Sequence, residues 1–341
     1  MQLKKYISYL IYLSLPFLTG SCEKDLQLPA TGESKIVLLG ELAAGDSIFI
    51  RGGQSIPFRS GNSYQTEYLA DLKVHISGGG IEADLYGELD DYAQMEPMLA
   101  FHHAHKVQAG SSYRISAQSE GKQEATALID IPKPFTARIS DSMYTNFAGK
   151  ACMAFDVQIE DVADTNYYVI EVLQQPFTVE PAFFFDGRWW KQSENFDLYD
   201  SLLFAGQDIP ERIDSFPVNT FFRVSFFTND HQSTHVQEGS LLDPTGRVLL
   251  QDKNFNGSKH ISRIFIPLEN IVTQEPFSGL QTLILVKSIP EYYYRYLDAY
   301  NQIDPSGLSG NNNIPVRLIG NIEGGSGIIG AAYKHTFRFL F

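Results

Sequence analysis

Short runs of alternating apolar and polar residues, separated by glycine-containing turns, make up the first third of the chain. A period of two places one face of a strand in a core and the other in solvent. Turns at 45–46, 78–80, 109–111 and 120–122 separate the runs. The runs predict strands at Ile36–Glu41, Ser47–Gly52, Leu72–Ser77, Ile81–Leu85, Met98–His102, Tyr113–Ala117 and Glu124–Ile131. Short strands at this spacing are typical of a β-sandwich.

Pro132-Lys133-Pro134 predicts a domain boundary, since prolines block sheet continuation and stiffen a linker. Strand-like runs resume at Phe135–Ile139, Cys152–Ile159, Tyr167–Leu173, Phe221–Phe227, Val248–Leu250, Ile261–Pro267, Leu280–Lys287, Val316–Ile319 and Ala332–Phe341. We therefore predict an all-β fold of two immunoglobulin-like β-sandwich domains, 35–132 and 133–341. The stretch 174–220 interrupts the rhythm and is predicted to be a long insertion in the second domain.

One helix is predicted near the C-terminus. Ser288-Ile289-Pro290-Glu291 forms a capping box with proline in the first turn, and Tyr292–Tyr300 follows. Tyrosines at helical spacing, including Tyr292 and Tyr296, form one face of this helix. The face either packs on the sandwich or forms a tyrosine-rich binding surface.

Composition excludes several classes of protein. The 341 residues include 24 Phe, 18 Tyr and 2 Trp, and aromatic side chains favour strands. A formal net charge of −14 argues against nucleic-acid binding, which depends on Lys and Arg contacts to phosphate. Two cysteines cannot form a zinc finger or a disulfide scaffold. The sequence also lacks G-x-S-x-G, H-E-x-x-H and P-loop motifs.

The N-terminus resembles a bacterial lipoprotein signal. Lys4 and Lys5 precede the apolar run Tyr6–Leu18, which is too short to cross the ~30 Å core of a bilayer. Small residues then lead to Cys22, so we predict a signal peptide at 1–21, lipidation of Cys22 and a tether at 22–34. The alternative is an ordinary signal peptide with an incidental cysteine. Cys152, in an apolar context, is predicted to be a buried thiol.

Four segments resemble one known family. Glu23-Lys24-Asp25 follows the lipidation cysteine, and Ile314–Gly330 (IPVRLIGNIEGGSGIIG) is similar to a near-terminal block of that family. Glu291–Tyr300 and Leu250–Gly257 resemble further blocks. The family is the group of envelope lipoproteins of the Bacteroidota catalogued as domain of unknown function 4249. The resemblance implies surface export and accessory roles beside TonB-dependent outer-membrane receptors, and it carries over no catalytic residue.

The terminal block also matches the G-x-G-x-x-G dinucleotide fingerprint at Gly325–Gly330. That fingerprint requires a helix that begins in the glycines within a βαβ unit, and an acidic residue about 20 positions further on. The residues after Gly330 form a strand-like run without an acidic side chain. We therefore predict no cofactor, and glycines that allow close strand approach in a turn fixed by Asn321 and Glu323.

His103 and His105 are the candidate metal ligands, since alternation places both on one strand face. A site needs a third ligand, for which His75 and Asp90 are candidates. Histidines at a strand end are otherwise solvated, and we predict no metal. Acidic side chains cluster at Asp84, Glu88, Asp90 and Asp91, and again at Glu194, Asp197 and Asp200. Without a calcium-binding loop, we interpret both clusters as solvated faces.

The most informative functional feature is the segment Phe183–Trp190, with sequence FFFDGRWW. Asp-Gly between two aromatic runs predicts a two-residue hairpin turn. Aromatic rings on both faces of a hairpin cannot all enter one core, so we expect Phe184, Trp189 and Trp190 to meet a ligand or partner. The alternative is a hairpin packed on both faces.

Together these features predict a non-catalytic, lipid-anchored outer-membrane protein that faces the cell exterior. We expect it to be an accessory or ligand-binding partner of a TonB-dependent transport complex, in contact with an outer-membrane β-barrel. One alternative is a structural lipoprotein of another envelope complex with no small ligand. The other is an envelope hydrolase with an acidic or histidine site.

Overall fold

The structure of the protein is a computed structural model that describes residues 34–55, 69–89, 98–140, 142–218, 220–237, 239, 241–271, 279–303 and 318–340. One unit contains Met1–Ser34 and Ile56–Gln65, and a second contains Lys35–Ser55 and Thr66–Phe341. All described residues from Lys35 onward belong to the second unit. The predicted signal peptide, Cys22 and the tether up to residue 33 lie outside the described residues. None of the helices within the described ranges is long and apolar enough to cross a membrane.

The protein is mostly β. The strands are β1 (Ile36–Ala43), β2 (Ser47–Gln54), β3 (Lys73–Gly78), β4 (Ile81–Asp84), β5 (Tyr86–Leu89), β6 (Leu99–Lys106), β7 (Ser112–Gln118), β8 (Ala125–Asp130), β9 (Thr136–Ile139), β10 (Met143–Phe147), β11 (Lys150–Glu160), β12 (Tyr167–Phe185), β13 (Arg188–Lys191), β14 (Glu211–Pro217), β15 (Phe222–Arg223), β16 (Phe227–Thr228), β17 (Arg247–Gln251), β18 (Lys259–Pro267), β19 (Gly279–Ile289) and β20 (Ser326–Leu340). The helices are α1 (Phe196–Phe204), α2 (Thr234–Gln237) and α3 (Glu291–Ile303), with short 3-10 turns at Asp252–Asn254 and Leu268–Asn270.

The strands form three sheets. The largest has eleven strands, ordered β13-β12-β19-β20-β1-β2-β6-β5, with β14, β15 and β17 also paired to β12. A second sheet is ordered β4-β3-β7-β8, and a third β10-β11-β18-β16 with β9 on β11. The last strand joins distant parts of the chain. Its first half runs parallel to β1, from Ser326 to Ala332, and its second half runs antiparallel to β19.

The two largest hydrophobic clusters among the described residues lie between these sheets. The first combines β1, β2 and β6 with β3, β7 and β8, through buried residues such as Leu38 and Ile115. The second combines β11 and β18 with β12, β17 and β19, through residues such as Phe155 and Ile170. In strands such as β3 and β7, apolar residues at alternate positions point into the first core, as the period-two pattern predicts.

Most predicted strands are confirmed, with ends shifted by a few residues. The prediction for Phe221–Phe227 is wrong at Val224 and Ser225, which lie in no strand between β15 and the bridge of Phe226 with Thr245. Leu318 and Ile319 are not in a strand, and the rest of that predicted strand lies outside the described residues. Strands β5, β10 and β14 and helices α1 and α2 were not predicted. The domain boundaries stay a prediction, although β20 brings the C-terminal segment into the sheet of the N-terminal one.

The α3 helix begins at Glu291, as the capping box predicts, and packs on the large sheet. Tyr294 and Leu297 are buried against Val169, Leu249 and Ala332. Tyr294 was not part of the predicted face, but Leu297 was, and Tyr293 and Tyr296 of that face pack partly buried against the same cluster, so the packing interpretation is confirmed for these three residues.

Candidate binding surface on the aromatic projection

The predicted insertion is an ordered extension of the large sheet. Strand β12 pairs with β19 from Tyr167 to Phe177 and then continues beyond it. Its outer half pairs with β14 on one side and β13 on the other. We call Phe177–Pro217, which contains the outer half of β12 together with β13, α1 and β14, the aromatic projection.

The tip of the aromatic projection is the predicted two-residue hairpin. Asp186 and Gly187 have φ angles of 50° and 76° and join β12 directly to β13. Two successive positive φ angles match the right-handed twist of the flanking strands, and Asp-Gly is a preferred pair for this turn. The hairpin prediction is confirmed.

One face of the hairpin is packed. Trp190 lies opposite Phe183 in the strand register, and paired residues share a face. Phe183 is fully buried, with its ring centroid 5.2 Å from that of Tyr199 in α1. The Tyr199 hydroxyl donates a hydrogen bond to Glu211 of β14, which raises the pKa of this tyrosine. Helix α1 therefore covers this face and connects it to β14.

The opposite face carries a more exposed aromatic pair. Trp189 lies opposite Phe184, and the two rings meet edge to face at 5.4 Å between centroids. Phe184 is 39% exposed, and Trp189 is half-buried. The aromatic side chains thus divide between a packed and an open face, so the fully packed alternative does not describe Phe184.

Each tryptophan ring is stacked against an arginine. The Cζ atom of Arg212 is 3.9 Å from the centroid of Trp189, and that of Arg188 is 3.5 Å from the centroid of Trp190. Such contacts stabilise an exposed pair by about 0.5–1 kcal/mol and hold the ring in place. The Trp190 indole N–H also donates to the Phe185 carbonyl oxygen at 2.9 Å. Both rings are therefore held in fixed positions before any partner arrives.

A pocket of about 660 Å³ lies beside the tryptophans. Its lining includes Trp189, Trp190, Arg188, Lys191 and Phe216. Arg188 is exposed and has no carboxylate partner among the residues that the structure describes. Aromatic rings beside an unpaired guanidinium form a surface suited to partners with apolar and acidic groups.

Lys191 is bound within the projection itself. Its Nζ atom is 2.9 Å from Glu180 Oε1 and 3.0 Å from Glu194 Oε1. Hydrogen bonds from Ser193 and Lys191 lower the pKa of Glu180 to about 2. This network fixes the base of the pocket, and it places Glu194 of the second predicted acidic cluster in an ion pair.

Exposed apolar residues continue along the projection. Phe204, at the end of α1, is 85% exposed, and Ile213 on β14 is 66% exposed. Phe196, Leu203 and Val179 are also exposed. Several exposed apolar side chains on one small module are typical of a protein-interaction surface.

The candidate residues of α3 do not join this pocket. The Tyr292 hydroxyl donates to the Ile329 carbonyl oxygen at 3.1 Å, and burial raises the pKa of Tyr292. Tyr296 is half-buried, with its ring 6.5 Å from that of Tyr300. Neither lines the pocket of the aromatic projection. A binding role for these two tyrosines stays a prediction.

The side chains of the histidine cluster bind to nearby groups of the protein. His103 Nδ1 accepts a hydrogen bond from the His105 backbone N–H at 3.0 Å, and His105 Nε2 lies 3.1 Å from the Gly79 carbonyl oxygen. His102 and His75 pair instead with Glu88 and Asp84 of the first acidic cluster. Within the described ranges, no three His, Cys, Asp or Glu side chains are placed to hold a metal. Asp90 and Asp91 lie outside those ranges.

The glycines at 325–330 lead into β20 rather than into a helix. A β-carbon at Gly327 would lie 2.1 Å from the Leu38 carbonyl oxygen of β1. Asn321 holds the turn with two hydrogen bonds of 3.0 Å to the backbone of Ile329, and Glu323 pairs with Thr126. The predicted roles in close strand approach and turn formation are confirmed. Cys152 is likewise a buried free thiol.

The sequence pattern did not indicate Arg212 or Glu180 as parts of the site. Arg188 could have been found, because residues two apart on a strand share a face and Arg188 precedes Trp190 by two. Arg212 reaches Trp189 only through the pairing of β14 with β12, which no local pattern encodes.

A family model described as domain of unknown function (DUF4249) matches residues 23–338. The search of curated proteins found no match to the chain.

Proposed function

The chain belongs to the family described as domain of unknown function (DUF4249), and from that premise we propose that it is a non-catalytic binding protein. The aromatic projection is its docking element. The observation that carries the proposal is the hairpin at Phe184, Trp189 and Trp190, in which stacked arginines hold both tryptophan rings while the face of Phe184 and Trp189 stays open. Tryptophan and arginine are the residues most enriched at the energetic centres of protein interfaces.

A protein partner fits this element better than a small ligand alone. The module that carries the open pocket also exposes apolar residues of α1 and β14 outside the pocket, such as Phe204 and Ile213. A surface of this kind extends over a whole module, and fixed rings reduce the entropy lost on association. The projection therefore supports docking, with the two proposed immunoglobulin-like sandwiches as its rigid base.

The proposed place of action is the outer membrane. Leu18–Cys22 supports lipidation of Cys22, and the cluster Glu23-Lys24-Asp25 supports export to the cell surface of a member of the Bacteroidota. More than one acyl chain on Cys22 gives stable anchoring, and a tether raises the local concentration near a membrane partner. The proposed partner is a TonB-dependent receptor, as the family resemblance implies.

Affinity purification from gently solubilised envelopes tests this function. The full chain should recover an outer-membrane receptor, and Trp189→Ala should weaken the recovery at least about tenfold. Tyr144→Ala is the matched control, because Tyr144 is an exposed aromatic residue, 74% exposed on β10, outside the projection. Recovery of the lipoprotein alone would count strongly against the proposal.

The anchor has its own test. Cys22→Ala should release the protein from membranes into the soluble fraction, because the mature chain then lacks its acyl chains. Membrane association that persists after this change would contradict the lipoprotein assignment while leaving the docking role of the projection open to the purification test.

A further inference from the structure

A second pocket lies at the open edge of β18. This strand pairs along its whole length with β11, whereas β16 covers only Ile264 and Phe265 on its other side. The turn that follows β16 faces the uncovered part of β18. The resulting pocket of about 400 Å³ is lined by Asp156, Asn229, Asp230, Asn254, His260 and Arg263 among others.

One wall of the pocket is a buried acid–imidazole pair. His260 Nε2 lies 2.7 Å from Asp230 Oδ2, and the Asp230 side chain is only 4% exposed. Burial alone would raise the pKa of Asp230, but hydrogen bonds from His260 and from the Gln232 backbone N–H lower it below its usual value. The His260 ring stacks on Phe255 at 4.3 Å, which fixes its orientation. The pair is therefore rigid and internally satisfied.

The second wall is an arginine–carboxylate pair. Arg263 Nη2 donates to Asp156 Oδ2 at 2.7 Å, and Arg263 Nε donates to Asp156 Oδ1 at 2.5 Å. The hydrogen bonds from Arg263 lower the pKa of Asp156. Each carboxylate of the pocket thus already has a basic partner, and an ionic ligand would have to compete with an existing pair.

Carboxamide side chains complete the lining. Asn229 offers a carbonyl acceptor and an amide donor, while the Asn254 amide donates to the Gln232 carbonyl oxygen and leaves the Asn254 carbonyl and the Gln232 amide for a ligand. Ile261, which is 58% exposed, adds an apolar surface at the rim. We propose that this pocket binds a neutral, hydroxyl-rich ligand, a mono- or disaccharide.

The chemistry of the lining selects this class. A sugar hydroxyl both donates and accepts hydrogen bonds, so it matches carboxamides and the outer lone pairs of paired carboxylates without displacing a charge. The C–H face of a pyranose matches the apolar rim. The pocket volume lies in the range of ~300–1,000 Å³ that small-molecule sites occupy.

This site is separate from the proposed docking element. The two pockets share no lining residue. Loss of one function therefore leaves the other measurable, and Trp189→Ala should leave sugar binding unchanged.

Titration calorimetry and saturation-transfer NMR on the Cys22→Ala chain test the proposal. The probes are glucose, galactose, mannose, N-acetylglucosamine, maltose and cellobiose, with glucosamine and glucuronate as charged counterparts. We expect at least one neutral sugar to bind with a Kd of about 1 mM or below. Asn229→Ala should weaken that binding at least about tenfold, since Asn229 is an exposed pocket residue whose removal leaves the fold intact.

Asn146→Ala is the matched control, because Asn146 is an exposed asparagine on β10 that does not line the pocket. The proposal is overturned if no neutral sugar binds up to about 10 mM. Tighter binding of the charged counterparts, or equal binding by the Asn229→Ala and Asn146→Ala variants, overturns it as well.

Discussion

The ring of Tyr293 in α3 lies directly over Gly330 in β20, leaving no room for a side chain. A β-carbon at Gly330 would approach the Tyr293 ring to within 2.4 Å. Two of the four segments that resemble the family, the tyrosine-rich helix and the glycine-rich terminal block, therefore meet at this contact. The final glycine of the apparent nucleotide fingerprint is explained by packing.

Gly330→Ala should lower the free energy of unfolding by about 1–3 kcal/mol, because the added methyl group overpacks a filled site. Gly279→Ala is the control, since Gly279 lies in β19 with open space around it and without a positive φ angle. Urea denaturation followed by circular dichroism measures both. Equal stability of the two variants would show that α3 shifts to accommodate the methyl group.

A buried ionic network lies beside this contact. Lys287 Nζ is 2.9 Å from Glu41 and 3.0 Å from Glu171, while Arg247 and Arg223 approach Glu171 at 3.3 Å. The Tyr293 hydroxyl donates to Glu41 at 2.8 Å. Strands β1, β12, β17 and β19 are thus joined by charges beneath α3.

Lys287→Met should destabilise the protein by about 3–5 kcal/mol, because it leaves two carboxylates beneath the helix without their shared cation. Lys150→Met removes the exposed Lys150–Glu269 pair and should cost at most about 1 kcal/mol. Chemical denaturation distinguishes the two. A small effect of Lys287→Met, comparable to that of Lys150→Met, would mean that water enters the network.

The same network predicts an acid-sensitive stability. Burial alone would raise the pKa of Glu171, but Lys287, Arg247 and Arg223 together lower it from 4.5 to about 2. A carboxylate with a depressed folded-state pKa stabilises the protein above its unfolded pKa and loses that contribution as pH falls through the folded value. The loss should therefore fall between about pH 4.5 and pH 2 and amount to about 3 kcal/mol.

Unfolding measured across this pH window in the parent chain and in Glu171→Gln tests the assignment. The variant should be less stable at neutral pH, and its free energy of unfolding should fall less steeply as the pH is lowered through this window. If the free energy of unfolding of Glu171→Gln falls with pH as steeply as that of the parent chain, the pH dependence comes from other carboxylates.

Local sequence patterns predicted the parts of the fold that are determined by residues close together in the chain. Alternation located strands such as β11, and the pair Asp186-Gly187 located the hairpin, because turn conformation is set by two residues. The capping box located the start of α3 for the same reason. Each of these signals acts over a few residues.

The pairing of strands that lie far apart in the chain could not be predicted from the sequence. The division of β20 between β1 and β19 depends on residues nearly the whole chain apart, as does the contact of Lys287 with Glu41, 246 positions away. In the projection, Arg212 meets Trp189 only because β14 pairs with β12. The pocket around Asp230 and His260 forms by the same kind of pairing, so no spacing along the chain indicates it.

The last prediction concerns the tip of the aromatic projection. Gly187→Val places a β-branched residue at a φ of 76°, which costs at least about 1–2 kcal/mol and splays β12 from β13. Both tryptophans of the protein lie on this hairpin, so their fluorescence reports the change directly. The emission should shift toward that of solvated indole, and receptor recovery in the purification experiment should fall.

Gly149→Val is a close match, since Ala148 and Gly149 in the β10–β11 hairpin have φ angles of 51° and 76°. Both glycines have open space around the added side chain, so backbone strain is the shared effect. Gly149→Val should leave tryptophan emission and receptor recovery unchanged. If Gly187→Val shifts the emission but leaves recovery intact, the hairpin is not the docking element and the partner binds elsewhere on the chain.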